Sequence, residues 1–233
     1  MNKPQRIGIY GGTFDPIHRT HLDIARAARD TAGLDTVLFV VAARPPHKRG
    51  DVFASAEDRL ALVQAAIAGE KGMEVSRIEM DRIGPSYTVD TLREIHQQHP
   101  EAALFLILGY DSLLDLPSWH KPKEILVLAR VLAARRPGIN APLHPMVQGR
   151  FDMLPIEENA MSSTEIRVRV ARGEPVHDLA DVALAVDQPP GRRAHEVQLQ
   201  TLGARFRVPG AEPPGQDAEP GLPGYRNRQP QGG

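Results

Sequence analysis

Short runs of apolar residues recur along most of the chain, and their length is that of buried strands. These runs, rich in Val, Ile, Leu and Phe, cover residues 6–10, 36–43, 73–79, 102–109, 130–136 and 151–158. Between them lie segments with apolar residues three and four positions apart, as in Leu60, Val63 and Ile67, and this spacing predicts helices. The predicted helices cover residues 21–31, 54–69, 88–99, 121–128 and 163–172.

The alternation of these strands and helices predicts an α/β fold. A strand followed by a helix and another strand favours a doubly wound, Rossmann-like, mostly parallel sheet with right-handed crossovers. Ligands of such sheets bind beyond the carboxyl ends of the strands, near the point where the strand order reverses. The segment GGTFDPIHRTH, residues 11–21, directly follows the first predicted strand. We therefore expect a ligand to bind at this segment.

The composition changes near residue 187. We predict a single domain over residues 1–186 and a Pro/Gly-rich tail over residues 187–233, where twelve of the last 25 residues are proline or glycine. A segment of this kind cannot bury enough apolar surface to offset the entropy of ordering it. The tail is therefore predicted to be disordered.

Composition also limits the class of protein. The net charge of −1 provides no global field for nucleic acid or an anionic membrane, so any anion site must be local. There is no cysteine, which excludes disulfides, thiolate metal sites and cysteine nucleophiles and agrees with a reducing cytoplasm. No apolar run reaches the roughly 18 residues of a membrane span, and the first residues lack a signal-peptide pattern. We expect a soluble cytoplasmic protein with no nucleic-acid or membrane partner.

Two histidines three residues apart, His18 and His21, follow the paired glycines of residues 11 and 12. They could pack or cap at a helix start, bind a metal, or bind phosphate. A metal site would need a convincing third ligand, as in HExxH motifs, and the segment offers none, so no metal site is predicted. Phosphate needs only imidazole N–H donors and the amides of a helix N-terminus in one place. The segment favours phosphate.

A second candidate anion site is MSSTEIRVRV, residues 161–170. Ser162 followed by Glu165 can be an ordinary capping box. Ser162, Thr164 and Arg167 can also place two hydroxyls and a guanidinium at the positive end of a helix. Two phosphate-binding helix starts in one domain are what a triphosphate would require.

Three further segments follow predicted strands two, three and four: RPPHKRG (44–50), GPSYTVDTL (84–92) and LGYDSLLDLPSWHKP (108–122). Each has an ordinary explanation, such as a solvated basic loop around Lys48, core edges at Tyr87 and Trp119, or a helix cap at Asp111. Their shared position after strands gathers them on the same edge of the sheet as residues 11–21.

Taken together, GGTFDPIH, PPHK, SYTVDTL, G-x-D ahead of a tryptophan, ARRPG and SSTEIR occur in the order known from one family. From about residue 6 to about residue 180 the chain resembles the bacterial nicotinate-nucleotide adenylyltransferases of the HxGH nucleotidyltransferase superfamily. The resemblance implies transfer of AMP from ATP to nicotinate mononucleotide in NAD biosynthesis, giving nicotinate adenine dinucleotide (deamido-NAD) and pyrophosphate, with Mg²⁺.

Other activities stay open beside this one. The chain could be a sister adenylyltransferase that uses nicotinamide mononucleotide or another acceptor. It could also be a nucleotide-binding regulatory protein with weakened catalysis, because Thr20 stands where the HxGH signature has glycine.

The resemblance also implies a role for each matching residue. His18 and His21 would contact the ATP phosphates, and His21 would stabilise the transition state at the α-phosphoryl group. The implied catalytic set is His18, His21, Lys48 and Arg167. The implied ATP site adds Gly11, Gly12, Thr13, Phe14, Gly109, Asp111, Ser162 and Thr164. The implied mononucleotide site consists of Thr13, Lys48, Tyr87, Thr88 and Trp119, the last by stacking on the pyridine ring.

Overall fold

The structure is a computed structural model that describes residues 3–44, 52–135, 137–139, 141–157, 162–174 and 176. The strands within these ranges are β1 (Arg6–Gly12), β2 (Thr36–Val41), β3 (Met73–Ser76), β4 (Ala103–Gly109), β5 (Arg130–Ala134) and β6 (Phe151–Met153). The helices are α1 (Arg19–Ala32), α2 (Ala56–Ala66), α3 (Ile78–Asp81), α4 (Thr88–Gln98), α5 (Tyr110–Asp115), α6 (Pro122–Leu128) and α7 (Ser163–Ala171). A 3₁₀ turn, Leu116–Ser118, joins α5 to the loop before α6.

The six strands form one sheet in the order β3-β2-β1-β4-β5-β6. Every neighbouring pair is parallel. The chain moves outward in one direction from β1 to β3 and then crosses back to place β4 on the other side of β1. The strand order therefore reverses between β1 and β4, which is where doubly wound folds bind their ligands. The predicted fold class is confirmed.

Helices and loops cover both faces of the sheet, which explains why its strands are continuous apolar runs. On β4, Leu106 packs in the cluster on one face, whereas Phe105 and Ile107 pack in the cluster on the other. All three side chains are nearly inaccessible to solvent. Strands buried on both faces lack the alternation of apolar and polar residues that a half-exposed sheet shows.

Two predicted strands are too long. The run at 73–79 forms a strand only to Ser76, and its end becomes helix α3, because Arg77 leaves the extended conformation with φ −89° and ψ 2°. The run at 151–158 forms a strand only over Phe151–Met153. Helices α3 and α5 were not predicted, since four and six residues are too few to show a helical repeat.

Helix α1 packs on the sheet through Leu22, Ile24, Ala25 and Ala28, and it ends at Gly33 in the left-handed conformation, with φ 56°. Glycine reaches this conformation without the strain that a side chain would cause. Among the described helices, none combines the length and the apolar character needed to cross a membrane. The predicted tail, residues 187–233, lies outside the described residues.

Candidate active site

A cavity of about 820 Å³ lies at the carboxyl ends of β1 and β4. All but two of the predicted site residues line this cavity. They are Gly11, Gly12, Thr13, Phe14, His18, His21, Thr88, Gly109, Asp111, Trp119, Ser162, Thr164 and Arg167. The exceptions are Tyr87, which lies beside the cavity, and Lys48, which lies outside the described residues.

The two histidines stand at the start of α1. His18 is the N-cap residue, with extended backbone angles, and only 2% of it is exposed. Its backbone N–H donates to Nδ1 of His21 at 3.1 Å, and the two ring centroids are 3.8 Å apart. Because Nδ1 accepts this bond, a neutral His21 imidazole carries its proton on Nε2. The second nitrogen of His21 is therefore a hydrogen-bond donor.

Thr20, which replaces the glycine of the HxGH signature, is the second residue of α1. Its hydroxyl oxygen is enclosed and has no hydrogen-bond partner among the described residues. It is absent from the lining of the cavity, unlike His18 and His21 on either side. The threonine side chain is therefore accommodated within the protein.

The turn between β1 and α1 is built around Phe14, whose φ of 47° is left-handed. Its ring is buried against Tyr10, with centroids 5.6 Å apart, and against Phe39 at 5.7 Å. The ring edge also meets His21 at 5.2 Å. A Cβ on Gly12 would lie 3.0 Å from the Phe14 ring, so glycine at this position makes room for the aromatic ring. Phe14 is therefore almost entirely buried, and its ring packs behind the histidines.

Two buried charged residues that the sequence analysis missed, Asp15 and Arg59, support this turn through hydrogen bonds to the backbone. The Asp15 carboxylate accepts from the backbone N–H groups of Phe53, at 2.7 Å, and Ala54, at 3.2 Å. Arg59, only 1% exposed, donates to the carbonyls of Thr13, at 2.6 Å, and Ala54, at 3.2 Å. Burial lowers the pKa of Arg59 and the nearby Asp15 opposes this, but a guanidinium stays charged in proteins. In the sequence of α2, nothing distinguishes Arg59 from a charged residue that is exposed to solvent.

The start of α7 is attached to the same turn. Ser163 Oγ donates to the carbonyl of Pro16 at 2.9 Å, and Arg167 Nη1 donates to the carbonyl of Asp15 at 2.7 Å. Ser162 caps the helix, since its Oγ accepts from the N–H of Glu165 at 3.2 Å. The capping interpretation of Ser162 is thus compatible with its place in the cavity. The structure brings the two predicted phosphate segments together.

A third part of the cavity is walled by the starts of α4 and α6. Tyr87 is the N-cap of α4 and makes no side-chain capping bond, and Thr88 begins the helix. The Tyr87 ring stacks on His120, with centroids 4.5 Å apart and planes inclined by 30°. Because Trp119 precedes His120, this contact brings the predicted pyridine-binding segments to one place. His120 was not predicted.

An ion pair fixes these two helices to each other. Arg93 on α4 donates to both carboxylate oxygens of Glu124 on α6, at 2.6 and 2.7 Å, and also to Asp90 at 2.7 Å. The Arg93 guanidinium lowers the pKa of Glu124, mainly through these hydrogen bonds. Bidentate geometry of this kind orients the two helices as well as attracting them.

A buried carboxyl in the cavity wall was also missed. Glu79 on α3 is 7% exposed and accepts from Thr91 Oγ1 at 2.7 Å. Arg82 in turn donates to Thr91 Oγ1 at 2.9 Å. Burial raises the pKa of Glu79, while Thr91, Ser86 and Arg82 act in the opposite direction. Glu79 fell inside the predicted strand 73–79, where no polar function was expected.

Within the described part of the chain, no group of three or more His, Asp or Glu side chains could hold a metal ion by itself. The residues that line the cavity carry imidazole, hydroxyl and guanidinium donors, backbone N–H groups and a few carboxylates.

Similarity to known proteins agrees with this arrangement. Residues 9–169 match the cytidylyltransferase-like family. The chain is 46% identical over 176 residues to a probable nicotinate-nucleotide adenylyltransferase of Gloeobacter violaceus, covering 72% of this chain and 85% of that protein. A Thermus thermophilus protein of the same name is 44% identical over 173 residues, covering 73% and 89%. The chain belongs to the nicotinate-nucleotide adenylyltransferase family. The resemblance found in the sequence motifs is confirmed.

A solved structure shares the fold of this family member. The Plasmodium falciparum nicotinic acid mononucleotide adenylyltransferase complexed with NaAD superposes with a TM-score of 0.64. The alignment covers 76% of this chain and 90% of that one, at 17% identity. At this identity the likeness establishes the shared architecture, and the roles of individual residues rest on the geometry above.

Proposed function

We propose that this chain transfers the adenylyl group of ATP to nicotinate mononucleotide, giving nicotinate adenine dinucleotide and pyrophosphate in NAD biosynthesis. The observation that carries the proposal is the attachment of α7 to the β1–α1 turn, through Ser163 to Pro16 and Arg167 to Asp15. These bonds bring the starts of α1 and α7, the two predicted phosphate sites, to one cavity, and this arrangement supports a triphosphate as ligand.

The reaction needs no nucleophile from the protein. A phosphate oxygen of the mononucleotide attacks the α-phosphorus of ATP, and the bond from that phosphorus to the pyrophosphate oxygen breaks. The protein contributes alignment and donors placed where negative charge develops. We assign the Nε2–H of His21 to the α-phosphoryl oxygen, because its Nδ1 is already engaged with His18.

Arg167 has the capacity to bind phosphate in addition to its structural bonds. Its Nη1 donates to the carbonyl of Asp15, and its Nη2 donates to Thr164 Oγ1 at 3.2 Å. A guanidinium has five N–H donors, so others remain for the β and γ phosphates. We assign His18, Ser162 and Thr164 to the same phosphates, and Gly109 and Asp111 to the adenosine.

The mononucleotide is assigned to the walls formed by α4 and α6. The first N–H groups of a helix have no partner within it, and Tyr87 contributes no side-chain cap. The N-terminus of α4 at Thr88 is therefore suited to the nicotinate carboxylate, with Trp119 stacking on the ring. Lys48 remains predicted to bind the phosphate of the mononucleotide.

We further propose that Mg²⁺ enters with ATP and that the activity is cytoplasmic. Mg²⁺ prefers phosphate oxygens and water to an all-protein cage, which fits a cavity with few carboxylates. The bound ion would neutralise phosphate charge. The absence of cysteine suits a reducing compartment.

A pyrophosphate-release assay with ATP and alternative acceptors tests the function. We expect nicotinate mononucleotide to be used with a kcat/KM at least about tenfold above that of nicotinamide mononucleotide, because a carboxylate gains charge-assisted hydrogen bonds from backbone N–H groups. Phosphopantetheine should not react. Comparable efficiency for acid and amide would contradict the preference. ATP binding without turnover of any acceptor would favour the regulatory alternative.

A further inference from the structure

Glu79 is a buried carboxyl in the cavity wall that the proposed chemistry does not use. It lies on α3, and its bond to Thr91 Oγ1 joins this short helix to the first turns of α4. Thr91 Oγ1 also lies 3.4 Å from the carbonyl of Tyr87, one turn back. Glu79, Thr88 and Thr91 all line the cavity. The carboxyl is thus connected to the segment that faces the mononucleotide.

Further hydrogen bonds hold the start of α4, at Thr91 and at Ser86. Arg82 donates from Nη2 to Thr91 Oγ1 and from Nη1 to Glu94 at 3.2 Å. Ser86, just before the helix, exchanges hydrogen bonds with Arg44: the Ser86 N–H donates to the Arg44 carbonyl at 3.1 Å, and the Arg44 N–H donates to Ser86 Oγ at 3.2 Å. Through Thr91, Glu79 is therefore one of the contacts that hold residues 86–91.

The conformation of residues 86–91 determines where the first N–H groups of α4 point. The N–H groups of Asp90 and Thr91 donate to the carbonyl of Tyr87, at 3.1 and 3.2 Å, and so belong to the helix. The N–H groups of Thr88 and Val89 precede this ladder. Hydrogen bonds to a carboxylate weaken steeply when the donor is misaligned. A small rotation of this turn would reduce the preference for an acid.

We propose that Glu79 is a positioning residue, which acts through Thr91 to aim the first N–H groups of α4 at the nicotinate carboxylate. The inference rests on the proposed function, because it assumes that the mononucleotide binds at α4. Glu79 does not touch the reacting atoms. It should influence the KM of the mononucleotide and the choice of acid over amide, and leave ATP binding and the chemical step unchanged.

Four variants test this role. Thr91→Val removes the hydroxyl with little change of shape, and Thr91→Ser retains it. Glu79→Gln keeps an acceptor for Thr91 but cannot carry a negative charge. Glu94→Gln is the matched control, since Glu94 contacts the same Arg82 from a more exposed position. The measurements are KM for ATP and for each mononucleotide, kcat, and Tm.

We expect Thr91→Val to raise the KM of nicotinate mononucleotide about tenfold and to lower the acid-to-amide ratio, with KM for ATP and kcat within about twofold. Glu79→Gln should act in the same direction but less strongly, while Thr91→Ser and Glu94→Gln should resemble the natural protein. These shifts should appear even where Tm is unchanged.

Four results would overturn the proposal. Unchanged KM for the mononucleotide in both Thr91→Val and Glu79→Gln would show that the contacts have no role in binding. Equal increases of KM for ATP and the mononucleotide would indicate general loosening. A higher acid-to-amide ratio in Glu79→Gln would mean that Glu79 acts by repelling the substrate carboxylate. If the natural protein releases no pyrophosphate with either mononucleotide, the proposed function falls together with this one.

Discussion

The His21 imidazole is oriented by a hydrogen bond that its Nδ1 accepts from the backbone N–H of His18. The bond belongs to the helix start, so the ring does not depend on a ligand for its direction. A donor that is already oriented stabilises charge in the transition state without reorganisation during the reaction. His21 is accordingly the residue whose loss should affect rate most.

Replacing His21 by alanine should lower kcat by about a hundredfold or more, the usual cost of removing one transition-state donor. ATP affinity, measured by calorimetry, should change far less than the rate. His21→Asn is the informative control, because its side-chain oxygen can accept from the His18 N–H while the Nε2–H donor is lost. It should be as slow as the alanine variant. An unchanged turnover number in either variant would contradict the role.

Thr20 should be compatible with activity. It lies inside α1, where threonine adopts the helical backbone without strain, and it does not line the cavity. We expect Thr20→Gly to change the apparent ATP affinity by no more than about tenfold, or roughly 1.4 kcal/mol. Thr20→Ala separates loss of the side chain from the flexibility of glycine, which costs about 1 kcal/mol in a helix. An inert natural protein that Thr20→Gly activates would instead support a regulatory role.

Among the secondary-structure elements, α2 and the segment before it act as the support of the β1–α1 turn. Arg59 reaches from α2 to the carbonyl of Thr13, 46 positions earlier in the chain. The backbone N–H groups of Phe53 and Ala54, just before α2, donate to the Asp15 carboxylate. The β1–α1 turn is therefore held by a different element from α1, which presents the histidines.

Arg59→Met should destabilise the protein by about 2 to 4 kcal/mol, since it removes two hydrogen bonds from a buried charged group and leaves the Thr13 and Ala54 carbonyls without this donor. Chemical denaturation gives the free energy of unfolding. Arg77→Met is the comparison, because Arg77 pairs with Glu57 of α2 at the surface, where solvent screens an ion pair and its loss should change the free energy of unfolding much less. Equal effects of the two substitutions would show that the buried guanidinium has no special role.

The sequence was sufficient to predict the strands that are continuous apolar runs and the helices whose apolar residues recur every three to four positions. The apolar runs at β1 and β4 and the spacing in α1 and α4 specify their elements locally, and the carboxyl ends of parallel strands then gather the motifs. Arg59 and Glu79 could not be found in this way. Their roles come from burial and from partners distant along the chain, and a charged residue has the same local pattern whether it faces solvent or the interior.

In the whole molecule, the predicted site residues all lie before Arg169 along the chain. The last strand of the described sheet ends before Leu154. The Pro/Gly-rich composition beyond residue 187 gives no reason to expect packing there. A chain ending at residue 190 should therefore stay soluble, with Tm unchanged and kcat/KM within about twofold of the full chain. Loss of soluble protein would show that the tail packs. A chain ending at residue 160 is the contrasting control, which should be inactive because it lacks α7.

The attachment of α7 to the β1–α1 turn also determines when the site can exist during synthesis. Ser163 and Pro16 are 147 positions apart, and Arg167 and Asp15 are 152 apart. The histidines leave the ribosome early, but Ser163 and Arg167 are added only after every strand of the described sheet. Chains abandoned before residue 163 would carry the glycine and histidine motif without the second proposed phosphate site, so we expect fragments from interrupted translation not to compete with the finished protein for ATP.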